Sequence, residues 1–146
     1  MTSELLKELL DACFIAKRIT KSMPDLPCGL KPRHIHVIDA IYELRQKYGT
    51  VRVSDVSKRL DITMPSVTKL INELTVMGVV EKAETSADKR AMLLRLTKKG
   101  HQYEEQYVIA YHAQWAERIT DITDDQAAAA IRTIISLQKA MPEISE

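Results

Sequence analysis

The sequence predicts a mainly α-helical fold carrying one small β-hairpin. Three observations lead there. Apolar residues recur at helical spacing in six stretches. Two short strand-like runs, VVEKA and AMLLRL, lie close in the chain with a polar link between them. Caps, prolines and glycines fall where those stretches begin and end. At 146 residues the chain is predicted to be one domain spanning 1–146, long enough for a core of its own.

Taken in order, Ser3 is expected to cap the first helix, with Leu5, Leu6, Leu9, Cys13, Ala16 and Ile19 along one side. The stretch MPDLPCGLKP, with three prolines and a glycine, is a loop. Pro32 suits the first turn of a second helix, whose buried stripe is Ile35, Ile38, Ile41 and Tyr42 and which Gly49 stops. Val51 and Val53 then flank Arg52 in a short alternating piece. Ser54 is expected to cap a brief helix, SDVSKRL, with Val56 and Leu60 inward. A turn through Asp61 and Ile62 leads to Thr63, the cap of the next helix. That helix sets Val67, Leu70, Ile71 and Leu74 on one face and ends at Gly78, in the place of a left-handed C-cap. The hairpin follows. Thr97 then caps a long helix reaching roughly residue 119, and a capping box from Thr123 to Gln126 opens the last one, AAAAIRTIISLQKAM.

Hydrophobic residues make up 45% and charged residues 28%, a globular balance rather than a disordered one. No apolar run reaches membrane-spanning length, and the N-terminal MTSELLKELLDACF lacks the pattern of a secretory signal, so no membrane partner is expected. Two cysteines, Cys13 and Cys28, suggest no disulfide framework, and the cytoplasm is the expected location. No nucleophile elbow, phosphate loop or HExxH stands in the sequence. Neither an enzyme nor a bound cofactor is therefore expected. Net charge is only +1, but residues Thr50 to Gly100 hold ten Lys/Arg against six Asp/Glu, net +4. Positive charge gathered in the middle third points to an anionic partner.

A short helix, a tight turn, a second helix and a hairpin form the order of a winged helix-turn-helix. It would occupy 31–100, with helices of 1–30 and 101–146 flanking it. At about 100° per residue from Val67, Pro65, Lys69 and Asn72 fall opposite the apolar stripe, with Ser66 and Thr68 beside them. A small polar face with one cation can enter a major groove, and the free amides at the helix start can take a phosphate. The same pattern also describes an ordinary amphipathic helix with a solvated side.

The segment VRVSDVSKRLDITMPSVTKLINELTVMGVVEKAETSADKRAMLLRLTKKG resembles the core of the MarR (multiple antibiotic resistance regulator) family of dimeric transcription factors. The SDVSKRL helix, the turn, T-x-x-S-V-T-K-L-I-N-E-L, the Gly78–Val79–Val80 exit, the D-x-R wing and the closing L-T-x-x-G carry the resemblance, in order and in register. The flanking helices match in number and character only. Asp61 departs from the glycine or asparagine frequent at that place, a small change because aspartate tolerates a left-handed turn. The resemblance implies a homodimer that binds a pseudo-palindromic double-stranded operator and regulates transcription, in the first instance as a repressor answering to a small molecule. It implies that Arg90 touches DNA from the wing tip, with Asp88 pairing its guanidinium and holding the stem in place. An isolated D-x-R would be a surface ion pair worth about 0–1 kcal/mol. Arg52, Lys58, Arg59, Lys69 and Lys89 are the candidates for phosphate contacts, joined by Ser54 and Thr63 at the helix starts.

Ala127, Ala130, Ile131, Ile134 and Ile135 give the last helix a smooth apolar face, and with the first helix it suits a two-fold dimer. Such a dimer presents its recognition helices about 34 Å apart. Tyr103, Tyr107, Tyr111 and Trp115 recur every four residues, a stripe that reads as core or dimer packing. In the family, small aromatic anions bind between the dimer helices and the DNA-binding lobe, which this ladder could also serve. His34 and His36 point apart on a helix, and His101 and His112 lie roughly 16 Å apart, so neither pair chelates. A set of Cys28, His36 and His112 would resemble zinc-sensing relatives, but their dense histidine cluster is missing and no metal is expected. Cys13 resembles the early cysteine of the peroxide-sensing branch, yet it lies on the apolar stripe, where thiols are inert. The alternatives are a metal- or redox-sensing member of the same family, or a winged-helix module that binds protein. The latter calls for an acidic or apolar recognition face, against which Lys69, Asn72 and the basic wing argue.

Overall fold

The computed structural model describes residues 1–85 and 88–143, with the side chains of 84–91 outside that description. Its elements are α1 (Ser3–Ile19), α2 (Pro32–Tyr48), α3 (Val53–Leu60), α4 (Met64–Val76), β1 (Val80–Thr85), β2 (Asp88–Leu96), α5 (Lys98–Glu104), a π-helical turn (Glu105–Ile109), α6 (Ala110–Arg118) and α7 (Asp124–Ala140). The two strands pair antiparallel. This is the mainly helical winged helix-turn-helix that the sequence predicts. Packing divides the chain into two compact units, Met1–Tyr111 and His112–Glu146.

The first unit is built around α2. His34, Ile35, Val37, Ile38, Ala40, Ile41 and Leu44 are all buried. The helix is thus enclosed on most of its circumference, where a single stripe was expected, because α3, α4, β2 and α5 all pack on it. Tyr42 is only partly buried and meets the His101 ring edge-on at 6.2 Å. Gly49 ends the helix with φ 82°, a conformation a side chain would resist. Val56 from α3, Val67, Leu70, Ile71 and Leu74 from α4, Leu94 and Leu96 from β2, and Tyr107 and Val108 from the π turn complete the core.

Three boundaries differ from expectation. Helix α1 begins one residue early, because Thr2 Oγ1 accepts the Leu5 N–H at 3.1 Å, which makes Ser3 the first helical residue. Ser54 does not cap α3 either. The Asp55 carboxylate, inside the first turn, accepts the Arg52 N–H at 2.8 Å and moves the start back to Val53. The alternating piece before it shrinks to one bridge between Arg52 and Leu93, with Val51 accepting the Leu94 N–H at 2.8 Å. The long helix after Thr97 is helical over 98–118, but the π turn interrupts it. In contrast, Thr123 and Gln126 exchange the expected capping-box bonds, 2.9 and 3.2 Å long. No residue of α1 or of α7 is buried, and Phe14, Ile19, Ile131 and Ile134 are all exposed.

Candidate nucleic-acid interface

The helix pair is fixed by local chemistry. Asp61 takes φ 52°, the left-handed turn its place requires, and Ser57 Oγ donates to the Ile62 carbonyl at 2.6 Å to close it. Thr63 Oγ1 accepts the Ser66 N–H at 3.3 Å, and Pro65 sits in the first turn, where its missing N–H is harmless. The apolar face of α4 is buried as the spacing predicts. Pro65, Thr68, Lys69 and Asn72 are exposed and Ser66 is half-buried. Gly78, at φ 72°, ends the helix with paired bonds from its own N–H to Thr75 and from the Val79 N–H to Leu74, 3.0 and 2.9 Å long.

The closing L-T-x-x-G ties this exit to the next helix. Thr97 Oγ1 donates to the Gly78 carbonyl at 2.6 Å and accepts the Gly100 N–H at 3.1 Å. A Cβ on Gly100 would collide with the Val79 carbonyl oxygen, so the glycine is a packing requirement. Lys99 adds a bond to the Met77 carbonyl at 3.0 Å.

The wing is longer than the apolar pattern suggests. Val80 pairs with Leu96 and Glu84 with Met92, after which the partner of Thr85 jumps to Asp88. Lys89, Arg90 and Ala91 fall in that irregular stretch of β2. The side chains of Asp88, Lys89 and Arg90, and hence the expected Asp88–Arg90 pairing, lie outside the described residues. Arg95 pairs with Glu81 across the strands at 2.7 Å.

Of the other cations, Arg52, Lys58 and Lys69 are exposed, and Ser54 is half-buried in the first turn of α3. Arg59 is engaged with Glu43 at 2.7 Å, which occupies one of the cations expected at phosphates. Asn72 is also partly committed, since Lys82 of β1 donates to its Oδ1 and ties the wing to α4.

Two buried polar groups escape sequence reasoning. His34 is 1% exposed; its Nδ1 accepts the Lys31 N–H at 2.9 Å, so Nε2 carries the proton and donates to Glu73 Oε2 at 2.6 Å. That bond holds the Glu73 carboxyl below its ordinary range. A histidine in the third helical position after a Pro-led start, where a capping box keeps Glu or Gln, was the available signal. Glu104 is 2% exposed, with Oε2 lacking a partner among the described residues. Burial, and then Asp39, Glu43 and Glu105, push it up to about 9, so it is neutral near pH 7.

Tyr103 and Tyr107 meet edge to face at 5.4 Å, and Tyr107 belongs to the core. Trp115 is 43% exposed under the Arg118 guanidinium. Cys13 is half-buried, Cys28 exposed, His36 half-buried and His112 exposed. Among the described residues no three His, Cys, Asp or Glu side chains are grouped to hold a metal ion, and no helix is long and apolar enough to cross a membrane.

The chain is similar to known DNA-binding proteins. The family model "Iron dependent repressor, N-terminal DNA binding domain" matches residues 30–87, the run from the end of the proline loop into the wing. The HTH-type transcriptional repressor MdtR of Bacillus subtilis (strain 168) is 21% identical over 112 residues, 77% of this chain and 70% of MdtR. Streptococcus pneumoniae FabT, solved in complex with DNA, superimposes with a TM-score of 0.63 at 24% identity, over 93% of this chain and 92% of FabT. Bordetella bronchiseptica BpsR, whose structure concerns regulation of its DNA binding by 6-hydroxynicotinic acid, gives 0.67 at 18% identity over 92% and 98%. Across these structures the fold is shared over nearly the whole chain.

Proposed function

We infer that this chain belongs to the MarR family, as a homodimeric transcriptional repressor that binds pseudo-palindromic double-stranded DNA and releases it on meeting a small effector. One observation carries the reading. Helix α4 buries Val67, Leu70, Ile71 and Leu74 while leaving Pro65, Thr68, Lys69 and Asn72 outward, directly before a hairpin. A protein-binding winged helix would need an acidic or apolar face there, and this face is neither.

In this mechanism the first turn of α4 approaches a phosphate through its free amides, with the Thr63 and Ser66 hydroxyls alongside. Thr68, Lys69 and Asn72 reach base edges and the flanking backbone in the major groove. Arg52, Ser54 and Lys58 hold the neighbouring phosphates, and Asp88, Lys89 and Arg90 act from the wing in the minor groove. The whole chain works as one regulatory unit, with 31–100 as the DNA-binding lobe and 1–30 and 101–146 as dimerisation helices. The exposed apolar residues of α1 and α7 are the surfaces a second copy covers. A small aromatic anion is the effector class, acting by binding one dimer state better than the other. The protein performs no chemistry of its own and works in the cytoplasm.

The test is a mobility-shift titration with the DNA upstream of its own coding region, over a salt series. Wild type is expected to bind with a steep salt dependence, and Arg90→Ala more weakly. Binding that ignores both salt and Arg90→Ala overturns the reading.

A further inference from the structure

We propose that His34 is a positioning residue for DNA binding: it holds the Glu73 carboxylate against α2, and so keeps that carboxylate from capturing Lys69. The proposal rests on the DNA-binding reading above and names the device that keeps the major-groove cation available.

Glu73 follows Lys69 by four residues on α4, the spacing at which an ammonium and a carboxylate meet on a helix surface. Lys69 is the one cation on the outward face of that helix. A free carboxylate beside it would neutralise its charge and repel phosphates. The structure shows a different pairing. Glu73 Oε2 lies 2.6 Å from His34 Nε2, a partner 39 residues away on another helix. Among the described residues Lys69 forms no ion pair. Its attraction to Glu73 ranks below the His34 bond among the influences on that carboxyl.

His34 suits the task because both ring nitrogens are committed. The Lys31 N–H fixes Nδ1 as an acceptor, which leaves the proton on Nε2 facing Glu73. At 1% exposure the ring is held in place by its surroundings, whereas the Glu73 side chain, 34% exposed, has room to turn toward Lys69 once released. The same bond joins the start of α2 to the later half of α4, so it bears on the pose of the recognition helix as well as on its charge.

The experiment measures affinity of the full-length dimer for a random-sequence duplex of about three helical turns, as log Kd against log salt. His34→Ala is expected to make the slope shallower by about 0.9 per half-site, the signature of one phosphate-bound cation lost. Glu73→Asp keeps the charge but shortens the reach to His34. It sits on a half-exposed side chain that does not threaten folding, and it should reproduce the shallower slope. Glu73→Gln should keep the wild-type slope, and His34→Ala with Glu73→Gln should restore it, which a merely structural role for His34 would not do. Unchanged slopes in both His34→Ala and Glu73→Asp, or a double variant that stays shallow, overturn the proposal alone. A wild type whose duplex binding ignores salt overturns the DNA-binding reading beneath it.

Discussion

Glu104 carries a proton that the unfolded chain would release. Its carboxyl stands at about 9 in the folded protein against an ordinary 4.5. With the folded value raised, its contribution to stability is fullest below pH 4.5 and declines as pH rises through 9. The expected slope is at most about 1.4 kcal/mol per pH unit. Glu104→Gln cannot ionise and still offers a donor, so its urea midpoint should vary less than that of wild type between about pH 5 and 9. Unfolding curves at several pH values check this. Thr97 and Gly100 make a second residue-scale case. Thr97→Val removes both the cap of α5 and the bond to the Gly78 carbonyl and should cost about 1–2 kcal/mol, while Gly100→Ala should cost about 1–3 kcal/mol by overpacking against Val79. Chemical denaturation reads both. The contrast between these sites says what a sequence exposes. The L-T-x-x-G pattern is legible because its partners are near neighbours along the chain. A lone glutamate in a helical pattern reads as solvated, and only the distant packing of α2 over it reveals otherwise.

Among the elements, the α3–α4 turn depends on one left-handed residue. Asp61→Val should cost about 1–2 kcal/mol and weaken DNA binding by loosening the helix pair, measured by thermal melts beside mobility shifts. Helix α4 was legible down to its exposed face, since its period, its Thr63 cap and its Gly78 stop all act within a few residues. Starts shifted where two cappers competed: Thr2 with Ser3, and Asp55 with Ser54. The enclosure of α2 was hidden because four elements scattered along the sequence supply it. The wing strands outran their apolar stretches, since a ladder is held by backbone bonds that polar residues make equally well. The candidate site was legible on α4 for the same local reason. The bonds of Lys82 to Asn72 and His34 to Glu73 join residues far apart in the chain and were not.

At the level of the molecule, α1 and α7 present large apolar side chains to solvent with none of their residues buried. A two-fold partner covering them predicts that Ile131→Glu combined with Ile134→Glu yields monomers by analytical ultracentrifugation. Affinity for a two-half-site duplex should fall by about 10²-fold or more, since the linkage between half-sites is lost. The π turn over Glu105–Ile109 has its own bearing on that architecture. It inserts an extra rung into an otherwise regular spiral and so acts as a phase adjuster. Excising a single residue there would close the spiral to 3.6 per turn and swing every side chain of α6 around the axis by about 100°. A chain shortened in this way would keep its composition and most of its hydrogen bonds, yet Trp115 would face a different direction.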